Sequence, residues 1–305
     1  MSEETGQRPW GAPPAVEYCY RHPNVQTGVH CTRCNRPICP ECMTPAPVGY
    51  QCPECVEQAR REFRRGPGRR VVTGGITATK VLLAALFAVF ALELLVGGAN
   101  GLFQGPSERT LIRLGAMQPF LIANGQYWRL FSAIFLHAGL LHIAFNAYAL
   151  WIFGAAMEQA LGRTRFLLVF FVTGFLASAA SYAFGPVESV GVGASGAIFG
   201  VFGAFIAYNY RRRQHAMNAA NLRMALTVIV LNAVIAIGYS SIDWRAHVGG
   251  LVAGFALGYL ADSSGPARQR AVVRFAGVAT LVAIGIALVL WRTAEIRSAF
   301  PQFFG

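Results

Sequence analysis

The chain has 305 residues, of which 54% are hydrophobic and only 13% charged, and its formal net charge is +12. Soluble domains carry about a quarter charged residues, so this composition excludes a single soluble domain, a disordered chain and a secreted disulfide scaffold. Arginine-rich stretches flank long apolar runs, which favours contact with an anionic lipid bilayer and not with nucleic acid. The sequence therefore predicts an all-α polytopic membrane protein with a small polar N-terminal module.

The first 75 residues divide into three segments by composition. Residues 1–17 are proline-rich and predict a disordered tail, and residues 18–56 contain every cysteine of the chain. Residues 57–75 carry six arginines and predict a basic juxtamembrane linker.

The cysteine-rich segment contains four pairs of metal-binding side chains, and the members of each pair are separated by two residues. The eight side chains are Cys19, His22, Cys31, Cys34, Cys39, Cys42, Cys52 and Cys55. A two-residue gap lets both members of a pair reach one ion, so eight ligands suffice for two tetrahedral zinc sites. Disulfides are the alternative, but the odd cysteine count and a cytoplasmic location argue against them. The zinc would be structural, because a module of about 40 residues hardly folds without metal. The sequence leaves open whether this module also binds a cytoplasmic protein partner.

Seven apolar runs follow, each close to the ~20 residues that a helix needs to cross a bilayer. They lie near 77–97, 140–160, 166–184, 194–210, 223–240, 246–261 and 272–291. The fourth and sixth are short and rich in small residues, which predicts positions inside the helix bundle. The polar segment 98–139 is expected to form a long loop. Basic residues concentrate before the first run and in alternate loops, which places the N-terminus in the cytoplasm and the C-terminus outside the cell membrane.

Three of these runs begin with polar side chains, and all three enter the membrane from the same side. The second run carries His142 and Asn146, which share one helix face because they are four residues apart. The fourth begins at Ser195 among glycines, and the sixth begins at His247. A nucleophile, a base and two hydrogen-bond donors at one depth are the groups that acyl transfer requires.

Glycines at intervals of four residues predict close packing of the fourth and sixth runs. They are Gly196 and Gly200 in one run and Gly250, Gly254 and Gly258 in the other. Small residues at this spacing let helix backbones approach closely in lipid. We expect that contact to bring Ser195 within hydrogen-bonding reach of His247.

Over residues 120–262 these motifs resemble those of the rhomboid intramembrane serine proteases. The motifs are Tyr127-Trp128-Arg129, His142-x3-Asn146, Gly193-Ala194-Ser195-Gly196 and Ala246-His247-x-Gly249-Gly250-x3-Gly254. The resemblance implies a catalytic dyad of Ser195 as nucleophile and His247 as base, which cleaves transmembrane protein substrates without a cofactor. It also implies an oxyanion hole formed by His142, Asn146 and the Ser195 N–H. The family's six-span core would occupy 76–262, and 263–305 would add a seventh transmembrane helix and an external tail.

The resemblance also assigns supporting positions. Gly193, Gly196 and His137 would support the site, whereas Arg129 and Glu158 match positions that hold the external loop in place. Asp243 is not expected to act as a third catalytic residue, since the family uses a dyad. At Phe199 some members carry tyrosine against the catalytic histidine, and another aromatic ring can pack there equally well.

The N-terminal module resembles a B-box zinc finger, in which the two metal sites interleave along the chain. This resemblance implies one site from Cys19, His22, Cys39 and Cys42 and another from Cys31, Cys34, Cys52 and Cys55. Spacing alone also permits sequential pairing.

Two other functions compete with the protease. An inactive relative would bind or escort transmembrane segments, but the chain retains Ser195, His247, His142 and Asn146. A transporter would require internal repeats and a charged residue near the bilayer midplane, and the sequence indicates neither.

Overall fold

The computed structural model describes residues 16–46, 48–65, 76–97, 105–238, 242–261 and 266–304. The chain forms two compact units, residues 1–74 and 75–305. Most of the predicted tail, residues 1–15, and the second half of the predicted linker, residues 66–75, lie outside the described part.

The N-terminal unit is built from short elements around its cysteines. Two antiparallel strands of two residues each, β1 (Thr44–Pro45) and β2 (Tyr50–Gln51), pair with one another. Helix α1 (Pro53–Arg65) begins two residues after β2. Proline occupies the first position of α1. Proline suits this position because a backbone N–H there would have no intrahelical acceptor, so its absence costs nothing. The helix continues beyond residue 57, so the first part of the predicted linker is helical.

The second unit is helical, with eleven α-helices in its described part. In chain order they are α2 (Ala78–Gly97), α3 (Glu108–Leu114), α4 (Pro119–Ala123), α5 (Arg129–Ser132), α6 (Leu140–Ala149), α7 (Ala155–Leu161), α8 (Arg163–Phe184), α9 (Ser195–Tyr210), α10 (Ala216–Gly238), α11 (Trp244–Ala261) and α12 (Ala267–Ala299). A π-helical turn at Leu150–Gly154 joins α6 to α7, so these two helices form one continuous rod. The helices α3, α4 and α5 belong to the long loop between the first two membrane spans.

Five helices of the described part are long and apolar enough to cross a membrane. They are α2, the α6–α7 rod, α8, α10 and α12. The two remaining predicted spans are α9, with 16 residues, and α11, with 18 residues. Most residues of α9 are buried inside the bundle. Helix α11 buries its glycine face, with Gly250, Gly254 and Gly258, and exposes large apolar side chains such as Val252 on the other face. The prediction of an all-α polytopic membrane protein is therefore confirmed.

Helices α9 and α11 pack backbone to backbone, as the glycine spacing predicts. A methyl group added to Gly254 would lie 1.8 Å from the carbonyl oxygen of Gly200. A methyl group added to Gly250 would lie 2.0 Å from the carbonyl oxygen of Gly196. No side chain fits in these gaps, so glycine is what allows the start of α11 to lie against the start of α9.

Glu158 in α7 caps the start of the first membrane helix, and its hydrogen bonds within the described part of the chain do not reach the long loop. Its two carboxylate oxygens accept hydrogen bonds from the backbone N–H groups of Ala78 and Thr79, both at 2.8 Å, and from the Thr79 hydroxyl at 2.8 Å. A carboxylate at a helix N-terminus satisfies unpaired N–H groups and complements the helix dipole. The expectation that Glu158 fixes the loop was therefore wrong.

Arg129, by contrast, holds the long loop together. Its Nη1 atom donates to the backbone carbonyls of Ile112 at 2.7 Å and Ala116 at 2.9 Å, and its Nε donates to Gln126 at 2.7 Å. The guanidinium also lies over the ring of Trp128. These bonds join α3 to α5 across the loop.

The C-terminal helix α12 contacts both α8 and the long loop. The Arg297 Nε donates to the carbonyl oxygen of Ala123 at 2.8 Å, and the rings of Phe300, Phe303 and Phe304 surround Phe120 of α4. The residues that follow α12 therefore pack on the loop as an aromatic cluster.

Candidate functional site

Ser195 is the first residue of α9, where several backbone N–H groups have no intrahelical acceptor. The turn before it depends on Gly193, whose φ is +121°, a conformation that favours glycine. The Gly193 N–H donates to the carbonyl oxygen of Ala133 at 2.9 Å, which fixes this turn to the end of α5. The local sequence thus presents the hydroxyl of Ser195 at a helix N-terminus.

His247 lies in the first turn of α11, and its Nε2 atom is 2.9 Å from the Oγ atom of Ser195. This distance is normal for a hydrogen bond. The close glycine contact between α9 and α11 produces it, because it brings the two helix starts together. Both residues are half-buried.

Asp243 caps the helix that carries His247. One carboxylate oxygen accepts from the backbone N–H groups of Arg245 at 3.1 Å and Ala246 at 3.2 Å. The other oxygen accepts a hydrogen bond from the Ser181 hydroxyl of α8. The carboxylate thus orients the start of α11, which is a role in helix positioning.

Phe199 packs face to face on His247. The two ring centroids are 4.2 Å apart and the ring planes differ by 11°. Phe199 is one helical turn after Ser195, so a single face of α9 presents both the Ser195 hydroxyl and the ring that packs on His247.

His142 lies beside the turn at Gly193. A methyl group placed on Gly193 would lie 2.7 Å from the Nε2 atom of His142 and 3.9 Å from the Nδ2 atom of Asn146. The Nδ1 atom of His142 faces the N–H of Ala138 at 3.3 Å. Since an N–H only donates, Nδ1 accepts, and the proton of a neutral ring is on Nε2, which points toward the site. The Nδ2 atom of Asn146 donates to the carbonyl oxygen of His142 at 3.0 Å.

His137 is fully buried behind His142, with its ring edge against the His142 ring at a centroid distance of 5.2 Å. Its backbone N–H points to the carboxylate of Glu93, whose oxygens lie 3.0 and 3.3 Å from the nitrogen. Glu93 is completely buried in α2. The sequence patterns did not single out Glu93, although a lone carboxylate inside an apolar span was a usable signal.

The cysteines and His22 of the N-terminal unit form two clusters that could each hold a metal ion. One contains Cys19, His22, Cys39 and Cys42, and the other contains Cys31, Cys34, Cys52 and Cys55. Within each cluster the ligand atoms lie within 4.8 Å of one another. The grouping is interleaved along the chain, and all seven cysteines are free thiols.

The donor set and its spacing fit a tetrahedral ion. The Nδ1 atom of His22 lies 3.2 Å from the Sγ of Cys39 and 3.5 Å from that of Cys42, and Cys34 and Cys52 are 3.7 Å apart at sulfur. Thiolates about 2.3 Å from one tetrahedral ion are separated by about 3.8 Å. Asn35, at φ +57°, closes the turn that begins at Cys31.

Together, the helical bundle, the glycine-mediated contact between α9 and α11 and the paired serine and histidine define a multi-pass membrane protein with a serine–histidine site. The family model of the rhomboid domain matches residues 124–263, and this range contains Ser195, His247, His142 and Asn146. YdcA of Bacillus subtilis (strain 168) is 37% identical over 139 residues, which are 46% of this chain and 69% of YdcA. The chain belongs to the rhomboid family.

Two further relatives cover different parts of their own length. The rhomboid protease GluP of Bacillus subtilis (strain 168) is 37% identical over 196 residues, 64% of this chain and 37% of GluP. RHOMBOID-like protein 6, mitochondrial, of Arabidopsis thaliana is 37% identical over 162 residues, 52% of each chain. This chain therefore matches only about a third of GluP and half of the plant protein.

Proposed function

We propose that the protein is an intramembrane serine endopeptidase that hydrolyses peptide bonds in or next to transmembrane segments of other membrane proteins. The observation that carries this proposal is the 2.9 Å separation of the Ser195 Oγ and the His247 Nε2. In this arrangement the imidazole takes the proton of the hydroxyl as the oxygen attacks a peptide carbonyl. Family membership, with GluP named a rhomboid protease, supports it.

The reaction would run in two stages. Ser195 Oγ bonds to the carbonyl carbon while its proton passes to His247, which then protonates the leaving amine as the peptide bond breaks. Water next attacks the acyl carbon and gives a proton to His247. His247 then returns a proton to the Ser195 Oγ as the Oγ–acyl bond breaks, which releases the carboxyl product and restores the free serine. The reacting groups in this mechanism are Ser195, His247, the peptide and water, so it requires no cofactor.

The developing negative charge on the carbonyl oxygen would be stabilised beside Gly193. The Nε2–H of His142, an amide N–H of Asn146 and the backbone N–H of Ser195 are the donors in this proposal. His142 and Asn146 both lie within 4 Å of the Gly193 position where a side chain would be. Donors fixed before the reaction need little reorganisation in the transition state.

The N-terminal clusters would bind two structural Zn²⁺ ions, as a B-box-type module does. Seven cysteine sulfurs, six of them buried, and one imidazole suit zinc better than magnesium or calcium, which prefer oxygen ligands. By the positive-inside rule the module lies in the cytoplasm, where it is free to bind a protein partner, and the C-terminus lies outside the cell membrane.

A fluorophosphonate probe, which reacts with activated serines, tests the proposal on full-length protein in detergent. Wild type should be labelled, and Ser195→Ala and His247→Ala should not. Ser298→Ala is the matched control, because this serine lies in α12 with its hydroxyl bonded to the backbone carbonyl of Glu295. Folded wild type that stays unlabelled would overturn the proposal and favour a relative that only binds or escorts transmembrane segments.

A further inference from the structure

We propose that Glu93 is a positioning residue that sets the tautomer of His142, the histidine placed beside the oxyanion. The catalytic role of His142 in this inference rests on the proposed function. The hydrogen bonds that link Glu93 to His142 are independent of that function. Glu93 is the sixteenth residue of the 20-residue helix α2, and its exposed fraction is 0%. A carboxyl group buried in a membrane helix is costly and usually has a defined partner.

That partner is the backbone of the segment leading into α6. Both carboxylate oxygens of Glu93 face the N–H of His137, at 3.0 and 3.3 Å. The side chain of His137 binds the same segment, since its Nδ1 atom lies 3.2 Å from the carbonyl oxygen of Phe135. A carbonyl only accepts, so Nδ1 of His137 carries a proton. Glu93 therefore holds the backbone N–H of His137, and the His137 side chain ties this residue to the preceding backbone at Phe135.

The next backbone N–H along the chain is the one that reaches His142. The Ala138 nitrogen lies 3.3 Å from the Nδ1 atom of His142. A donor at this position stabilises the ring form in which Nδ1 is unprotonated and Nε2 carries the hydrogen. Of the two neutral forms, this one presents a donor toward Gly193, where an added methyl group would lie 2.7 Å from Nε2.

Glu93 would therefore act through the backbone without touching substrate. By holding the Leu136–His137 peptide through its N–H, Glu93 limits rotation of the backbone at His137 and so favours one direction of the Ala138 N–H in the next peptide, which in turn favours one donor state of His142. Replacing Glu93 with leucine leaves the His137 N–H without its acceptor and frees the peptide to rotate. We expect a mixture of the two His142 tautomers, and a weaker oxyanion donor whenever the proton is on Nδ1.

The decisive experiment is solid-state NMR of ring-¹⁵N-labelled histidine in full-length protein reconstituted in liposomes. The chain contains six histidines, and the His142→Gln spectrum identifies the signals of His142. Wild type should show a pyridine-type Nδ1 and a protonated Nε2. Glu93→Leu should show both tautomers, whereas Glu93→Gln, which keeps a carbonyl acceptor, should resemble wild type.

Fluorophosphonate labelling supplies the catalytic readout. The labelling rate follows the fraction of His142 that keeps its proton on Nε2. Glu93→Leu should therefore label about 2-fold more slowly for an equal mixture of tautomers and about 10-fold more slowly when only one tenth keeps that proton. Both losses are smaller than the roughly 10²–10³-fold cost of losing a whole oxyanion donor. Glu93→Gln should restore the wild-type rate. Glu158→Leu is the matched control, because it removes another carboxylate that binds α2 and should lower the melting temperature without changing the His142 signals.

Each outcome separates the two proposals. If wild type is not labelled at all, the protease proposal fails, while the NMR signals still decide the role of Glu93. If Glu93→Leu does not fold, Glu93→Asp, which retracts the carboxylate from the His137 N–H, should produce the same mixture of tautomers. Wild-type His142 protonated at Nδ1, or folded variants whose His142 signals match wild type throughout, would overturn the inference.

Discussion

The ring of Phe199 lies parallel to the imidazole of His247, with the ring centroids 4.2 Å apart. The contact restricts the rotation of His247 about its side-chain bonds and holds Nε2 against Ser195. Because Phe199 and Ser195 are one turn apart on α9, the helix that carries Ser195 also supports the ring of His247.

Removing this aromatic face should slow the reaction without abolishing it. Aromatic pairs contribute about 0.5–1.5 kcal/mol beyond buried area, which corresponds to a roughly 2- to 12-fold slower fluorophosphonate labelling in Phe199→Leu. Phe199→Tyr keeps the ring and should label at nearly the wild-type rate. Phe303→Leu, in the exposed C-terminal cluster, controls for general loss of aromatic packing. Equal rates for Phe199→Leu and wild type would contradict this role.

Adding one methyl group at the contact between α9 and α11 should separate the catalytic pair. In Gly254→Ala the new carbon would lie 1.8 Å from the Gly200 carbonyl oxygen, so the helices must move apart. Overpacking of this kind typically costs about 1–3 kcal/mol. We expect a lower melting temperature and strongly reduced labelling of Ser195.

The matched control for that variant is Gly277→Ala in α12. Its new methyl would meet only the tip of the Leu260 side chain, at 2.3 Å, and that tip can rotate away. Alanine also favours the helix over glycine by about 1 kcal/mol. Gly277→Ala should therefore fold and label as wild type does, and a similar loss in both glycine variants would argue against a specific role for the α9–α11 contact.

Arg129→Lys should loosen the long loop even though the charge is retained. Lysine cannot reproduce the fork that binds two carbonyl oxygens and Gln126 together. We expect faster cleavage of the loop by limiting trypsin, followed by mass spectrometry of the fragments, and slower labelling of Ser195. Arg113→Lys, at an exposed position of α3, should leave both rates unchanged. Resistance to trypsin equal to that of wild type would show that other contacts hold the loop.

Metal content should follow the two interleaved clusters. Elemental analysis of wild type should give about two zinc ions per chain, one for each cluster of four ligands. Cys42→Ser should retain about one, because the cluster around Cys31 does not contain Cys42. His30→Ala should retain both, since His30 pairs with Glu17 outside the clusters. Loss of both ions from His30→Ala would show that the ligand set is different.

Substrates with weak helices should be cleaved fastest. A regular helix hides its peptide carbonyls in intrahelical hydrogen bonds, so the chain must unwind locally before Ser195 can attack. Placing Gly-Gly at the cleavage region of a model transmembrane substrate should raise cleavage relative to Leu-Leu, as measured in liposomes by gel analysis. The Ser195→Ala enzyme is the blank. Equal cleavage of both substrates would indicate that helix opening does not limit the reaction.

Apolar run length and glycine spacing were sufficient to predict most of the membrane unit. The seven expected runs correspond to helices with similar bounds, and the rhomboid family and the all-helical class are confirmed. The largest differences lie at polar ends: α10 begins at Ala216 and α12 extends over 33 residues. A prediction from hydropathy places the end of a span at the first charged residues. The helix itself continues through these residues in water or among lipid headgroups.

The contacts between individual side chains were harder to predict than the helices that carry them. Ser195 and His247 could be paired because both begin helices that the glycines bring together. Glu158 was assigned to the wrong end of the bundle, since nothing in its sequence neighbourhood indicates a contact with Thr79, 79 residues earlier. Glu93 was missed because averaging over a window hides one carboxylate among leucines, and its acceptor role depends on a backbone N–H, which has no residue-type signature.

The aromatic cluster after α12 has a practical consequence for handling the protein. Phe300 and Phe304 pack on Phe120 of the long loop, so any group fused directly behind them competes for the same surface. A purification handle at that end lies next to the loop, which the antiparallel bridge between Met117 and Gly191 connects to the turn that precedes Ser195. Handles are better placed before the metal-binding module, and activities measured with a C-terminal fusion should be compared with a version from which it has been cut off.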